Sequence, residues 1–202
     1  MSDPIKFYFA CVSPWSYLGL DALKEIADKH GRTIAYKPTD VGRTWKEPGS
    51  GKPLGERPDV MKSYRLLELP RWAAWRGVPL NAEPKHFPAP FYLSSNVIIA
   101  AGQAGEDMFA VTRALMRGCW VEERNVGDER DVTEILDGLG LDGATLVAAA
   151  GSDVVAAELS ANTDEALADN AWSVPSYVVD GELFYGQDRM EMIDWRLSGG
   201  TN

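Results

Sequence analysis

The amino-acid sequence predicts an α/β domain interrupted by an all-helical insertion. Three observations carry that reading: an apolar opening that runs strand, helix, strand; a long middle stretch with helical spacing; and strand-like runs that return only near the C-terminus. Ile5-Lys6-Phe7-Tyr8-Phe9 is the first strand. Ser13-Pro14-Trp15-Ser16 then marks a helix start, because proline is preorganised for the first turn and a neighbouring serine can cap it. Leu18, Leu20, Leu23, Ile26 and Ala27 recur at helical spacing, and Gly31 stops the helix. Residues 33–38 form a second strand ended by proline, so the opening predicts a parallel pair joined by a right-handed crossover.

Residues 42–58 are rich in Gly, Pro, Lys and Glu and read as an exposed, mobile loop beside the first helix terminus. Helical spacing then dominates 60–77, 91–104, 107–121, 133–139 and, with breaks, 142–170. Ser94-Ser95, Asp131 or Thr133, and Thr163 serve as start signals within this block. The acidic mixture 128–131 reads as a solvated loop face. Ser176-Tyr177-Val178-Val179 and Glu182-Leu183-Phe184-Tyr185 flank Asp180-Gly181, a strong hairpin signal, and Asp188 is a candidate cap for a last helix. The division expected is 1–58 with 171–202 as the α/β domain and 59–170 as the helical insertion. The crevice between them is the expected ligand site.

Charge and composition narrow the function. A formal net charge of -10 without any basic stripe argues against a nucleic-acid partner. Met1-Ser2-Asp3-Pro4 lacks the features of a signal peptide and the apolar run at 97–101 is too short to span a bilayer, so a cytoplasmic protein with no membrane partner is expected. Cys11 and Cys119 provide no disulfide framework, and His30 and His86 lack companions at metal-ligand spacing, so no metal is expected. His30 sits where a helix end favours a cation.

Two readings of Ser13-Pro14-Trp15-Ser16 stand side by side. One serine caps the helix, or a hydroxyl there stabilises an anion beside unpaired amides at the positive helix end. Further along, Val174-Pro175 opens the third strand, where a cis bond would turn the chain sharply. The strand before Ser13-Pro14-Trp15-Ser16-Tyr17-Leu18, the Tyr64 and Arg71-Trp72 segment with Gly77-Val78-Pro79, Val174-Pro175-Ser176 and Gly186-Gln187-Asp188-Arg189 together resemble a thioredoxin-fold family. It is that of the 2-hydroxychromene-2-carboxylate isomerases, related to kappa-class glutathione transferases and DsbA-like proteins. The resemblance covers almost the whole chain.

It implies glutathione as cofactor, with Ser13 facing its sulfur and Ser16 in the place of a redox protein's second cysteine. A serine donates to a thiolate but forms no mixed disulfide, so such a site would poise a cofactor thiolate. The resemblance further implies that the backbone of Val174, before a cis Pro175, pairs with the cysteinyl part in strand fashion. Gln187 and Asp188 match the segment that holds the γ-glutamyl end, Asp188 remaining a simple helix cap on the other reading. Lys62 is the candidate for the glycyl carboxylate, or faces solvent. Trp15, Tyr64 and Phe87 are candidate walls for a flat aromatic substrate, and Arg71 meets either its carboxylate or an internal acid. Trp72 and Trp75, three apart, share a helix face whose plain reading is core packing. Cys11 departs from the family pattern and reads as a buried small side chain, the other reading being a displaced nucleophile.

The reaction implied interconverts 2-hydroxychromene-2-carboxylate and trans-o-hydroxybenzylidenepyruvate, or a closely related intermediate of aromatic degradation, by reversible thiolate addition, rotation and elimination. A kappa-like transferase that releases the conjugate of a small electrophile is the alternative. A homodimer is implied by the resemblance alone.

Overall fold

The computed structural model describes residues 3–201. Its sheet has four strands, β1 (Ile5–Phe9), β2 (Ile34–Pro38), β3 (Ser176–Val179) and β4 (Glu182–Tyr185), in the order β2-β1-β3-β4. β1 runs parallel to β2, with Ile5 opposite Ile34, and antiparallel to β3, with Phe7 opposite Tyr177. Asp180 and Gly181 both adopt positive φ, 50° and 82°, and that twist matches the β3–β4 hairpin they join.

Nine helices are described: α1 (Pro14–Lys29), α2 (Val41–Lys46), α3 (Asp59–Arg76), α4 (Tyr92–Gln103), α5 (Met108–Trp120), α6 (Glu129–Asp137), α7 (Gly143–Ala150), α8 (Asp153–Ala168) and α9 (Met190–Leu197). Side chains alternate across a strand, so Ile5, Phe7, Phe9, Tyr177 and Val179 share one sheet face. That face joins α1, α4, α5 and α9 in the largest core cluster. Phe7 stacks on Phe9 at 4.5 Å and on Tyr177 at 5.3 Å within it. The other face presents Tyr8 and Val178 to Ala166 and Ala171, beneath the end of α8. One core thus runs through both the sheet and the helical block, which is the α/β architecture with a helical insertion.

Four local expectations are corrected. The segment expected to be a loop over 42–58 contains α2 and a 3-10 turn at Leu54–Glu56, because Asp40 caps α2 by accepting from the Arg43 amide at 3.2 Å. α4 starts ahead of Ser94 and Ser95, which lie buried inside it. Thr163 starts no helix: within α8 its hydroxyl donates to the Leu159 carbonyl at 2.7 Å. Asp128, placed in a solvated loop by composition, caps α6. Among the described residues no single helix is long and apolar enough to cross a membrane.

Candidate active site

The site grows from the end of β1. Its chain turns through Cys11 and Val12, and the Ser13 amide donates to the Ala10 carbonyl at 2.9 Å. Ser13 then adopts extended dihedrals (φ -88°, ψ 117°) as the residue before α1, with Pro14 in the first helical position. Its Oγ accepts from the Ser16 amide at 3.2 Å, and its carbonyl accepts from the Tyr17 amide. Pro14 has no N–H, so the Trp15 amide is the open donor at this helix end.

Capping uses a lone pair of Ser13 Oγ and leaves its proton free to donate elsewhere. The cap reading and the anion reading are therefore compatible in one hydroxyl. Ser16 is fully buried and its Oγ has no partner, so that hydroxyl faces neither solvent nor cavity.

Two adjoining cavities flank this terminus. The larger, about 560 Å³, lies between α3 and the 174–188 segment and includes Tyr64, Trp72, Pro175, Gln187 and Asp188 in its walls. The smaller, about 330 Å³, includes Ser13, Trp45, Phe87 and Phe91. Trp15, Arg57, Arg65, Val174 and Tyr185 line both. The Val174-Pro175 bond is cis, as is Phe87-Pro88. The Val174 N–H and C=O enter none of the hydrogen bonds among the described residues, whereas the Pro175 carbonyl is taken by the Gly186 amide at 2.9 Å.

Gln187 is buried and held by Arg76, whose Nη2 donates to its carbonyl at 2.8 Å and whose Nε donates to its Oε1 at 3.2 Å. Asp188 does not cap the last helix. Residues Gln187–Arg189 form a 3-10 turn that precedes α9, and Asp188 instead pairs with Arg189 at 2.9 Å on the rim of the larger cavity.

The structure therefore brings Ser13, Trp15, Tyr64, Phe87, Val174, Pro175, Gln187 and Asp188 to the two cavities, and leaves two candidates outside. Lys62 pairs with Asp59 at 3.2 Å, one turn back on α3. Arg71 pairs with Glu68 at 2.9 Å, and 61% of its side chain is exposed where partial burial was expected. The bond from Arg71 holds the Glu68 carboxyl below its usual range. Trp75 is 77% exposed and so packs in no core, whereas Trp72 packs against Leu18, Leu69 and Ala73 while also lining the larger cavity and donating to Glu68 at 3.2 Å.

Sequence reasoning missed Arg57 and Arg65. A signal existed: Met61, Tyr64, Arg65, Glu68 and Trp72 fall at helical spacing on one side of α3, bordering its buried Leu69 and Ala73.

The cysteines stand apart from this chemistry. Cys11 is fully buried in the core, and burial pushes its thiol well above the usual range; burial also pushes Cys119 up to about 12. Both are free thiols. Buried, protonated thiols are poor nucleophiles. His30 lies at the end of α1 with its Nε2 2.7 Å from Asp194, a structural contact, and His86 lines neither cavity.

Comparison with known proteins bears on the family and the fold. The model of the DSBA-like thioredoxin domain matches residues 4–198. A 2-hydroxychromene-2-carboxylate isomerase of Sphingobium xenophagum is 29% identical over 199 residues, covering 96% of this chain and 97% of that protein. One of Pseudomonas putida is 26% identical, covering 94% and 92%. Glutathione s-transferase kappa 2 of Caenorhabditis elegans is 25% identical, covering 94% and 89%. A solved 2-hydroxychromene-2-carboxylate isomerase superposes with a TM-score of 0.85 at 24% identity, over 96% of this chain and 94% of that one, and shares its fold. A thioredoxin-like sheet, a capped helix after β1 and a cis-proline facing it thus accompany full-length similarity to these isomerases, and the chain belongs to the DSBA-like thioredoxin domain family.

Proposed function

We propose that this protein is a glutathione-dependent isomerase of 2-hydroxychromene-2-carboxylate, or of a closely related intermediate of aromatic degradation. The observation that carries the proposal is the placement of Ser13: a capping serine with a free proton, lining an aromatic cavity that adjoins a larger one beside cis-Pro175. The relatives named as isomerases over their full length support the same reaction class.

The residues present fit glutathione. The unengaged N–H and C=O of Val174 can pair with its cysteinyl backbone in strand fashion, and Asp188 offers a carboxylate for its ammonium group. When bound, glutathione supplies a thiolate that adds to and departs from the alkene carbon, freeing rotation about the former double bond. Ser13 donates its remaining proton toward the sulfur, the Trp15 amide provides a second donor, and the α1 dipole favours negative charge there. A thiol ordinarily titrates near about 8.5, and these donors favour the ionised form at neutral pH. Trp45, Phe87 and Phe91 provide flat apolar walls that orient an aromatic ring and exclude water.

The test follows 2-hydroxychromene-2-carboxylate and a panel of electrophiles with and without glutathione while measuring its consumption. Isomerisation that requires glutathione and leaves it unconsumed is expected. Stoichiometric loss of glutathione with an electrophile would establish the transferase reading, which the similarity to a kappa-class protein favours. A protein that acts on none of these and binds no glutathione would overturn both.

A further inference from the structure

The arginines of this acidic chain are unusual at one place. Among the described residues every arginine except Arg57 and Arg65 forms an ion pair with an aspartate or glutamate. The exceptions occur although Asp and Glu number 30 against 20 Lys and Arg, so acidic partners are plentiful elsewhere. Both exceptions line both cavities.

Arg57 has a neutral partner, its Nε donating to the Lys52 carbonyl at 2.9 Å, and its guanidinium lies over the Trp45 ring. Arg65 has no hydrogen bond: its guanidinium lies 5.1 Å from the Phe87 ring centre and 5.9 Å from that of Trp120, and its Nη2 is sealed from solvent without an acceptor. A desolvated guanidinium lying against two adjoining rings gains from their faces but remains short of acceptors. Burial and the nearby charge of Arg57 lower its proton affinity, against the opposite pull of Glu83.

We propose that Arg65, with Arg57 beside it, is the receptor for an organic carboxylate entering the smaller cavity, and that it selects flat aromatic acids over their neutral analogues. The identification of that acid as the isomerase substrate rests on the proposed function; the receptor itself does not. The aromatic walls and the cation lie in one cavity with Ser13, so an aromatic acid held by its carboxylate has its side chain on the side of the reacting sulfur. Arg65 also borders the larger cavity, and the glycyl carboxylate of glutathione is the other source of the same chemistry. Arg65 is a positioning and specificity residue for the substrate on the first source and a cofactor anchor on the second.

Calorimetry on the intact protein tests this with trans-cinnamate, its neutral amide and glutathione as separate probes. The wild type is expected to bind cinnamate at least tenfold more tightly than cinnamamide. In Arg65→Gln cinnamate binding falls at least tenfold while cinnamamide is unaffected, and Arg65→Lys recovers part of the loss. An unchanged glutathione affinity in Arg65→Gln assigns the receptor to the aromatic acid; a loss confined to glutathione overturns that assignment in favour of the cofactor anchor. Equal binding of cinnamate and cinnamamide by the wild type overturns the receptor even if Arg65→Gln fails to fold, as does a folded Arg65→Gln that binds all three probes normally. Because these readouts need no turnover, an Arg65-dependent preference for cinnamate in a protein without isomerase activity would sink the proposed reaction and leave the receptor standing.

Discussion

Ser13 divides its hydroxyl between two duties, accepting from the Ser16 amide and keeping its proton for the cavity. Ser13→Gly separates them, since glycine at this position costs a helix only a few tenths of a kcal/mol whereas alanine costs about 1 kcal/mol. Thermal melts are expected to show Ser13→Gly close to wild type and Ser13→Ala lower. Turnover at saturating glutathione should fall in both by about 10²-fold, the typical loss when a preorganised donor to developing charge is removed. Undiminished turnover in Ser13→Gly would remove Ser13 from the chemistry. Asp188 makes the opposite prediction. It caps no helix and its pair with Arg189 is solvent-exposed, so Asp188→Asn should leave the melting temperature unchanged and weaken glutathione binding about tenfold by calorimetry. Ser13 was legible as a cap because it sits at a proline-led helix start, whereas Asp188 was singled out by the family resemblance and its local reading as a helix cap failed. The cations were not legible: Lys62 and Arg71 are bound to acids one turn away, while Arg57 and Arg65 are the cavity-lining arginines without an acidic partner, and pairing within a helix is resolved only by side-chain directions.

At the scale of elements, α1 and the 186–188 segment approach closely enough that only glycine fits between them. A Cβ at Gly19 would lie 2.7 Å from Tyr177 Oη and 2.9 Å from Gln187 Cβ. Alanine ordinarily favours a helix over glycine by about 1 kcal/mol. Gly19→Ala is expected to reverse that sign, lowering the urea midpoint and weakening glutathione binding together, because relief of the clash displaces Gln187 and with it Asp188. A more stable variant with normal binding would disprove the close approach. The same contact explains why this stretch of α1 departs from a plain apolar stripe. Helix existence was legible from spacing, but helix starts were less so: Ser94, Ser95 and Thr163 carry the right side chains in the wrong places, the Ser94 and Thr163 hydroxyls bonding back to a carbonyl of the preceding turn and that of Ser95 lying buried without a partner. α2 was hidden by Gly42 and by the Gly- and Pro-rich stretch that follows it, although Asp40 marked its start.

Across the whole molecule, the C-terminal helix is tied back to the N-terminal one through Asp194, which accepts from Lys29 Nζ at 2.7 Å and contacts His30 Nε2 at 2.7 Å. The bond from Lys29, then that from His30, holds the Asp194 carboxyl below its ordinary value. A carboxyl lowered by folding stabilises the native state above its unfolded value of about 3.9 and loses that contribution as pH falls through the folded value. Asp194→Asn should therefore be less stable than wild type in urea near about pH 7, with the gap closing at about pH 2 to 3. A gap independent of pH would mean that the ion pairs contribute nothing.

The strand and helix periods, the Asp-Gly hairpin and the proline-led helix start were all readable along the chain, because alternation, 3.6-residue spacing and turn chemistry are properties of neighbouring residues. The sheet order β2-β1-β3-β4 and the unpaired guanidinium of Arg65 came from the folded molecule alone. Each depends on residues far apart in sequence and on which acid each cation reaches first. Distances between side chains, set by packing, decide that outcome, and no local pattern encodes it.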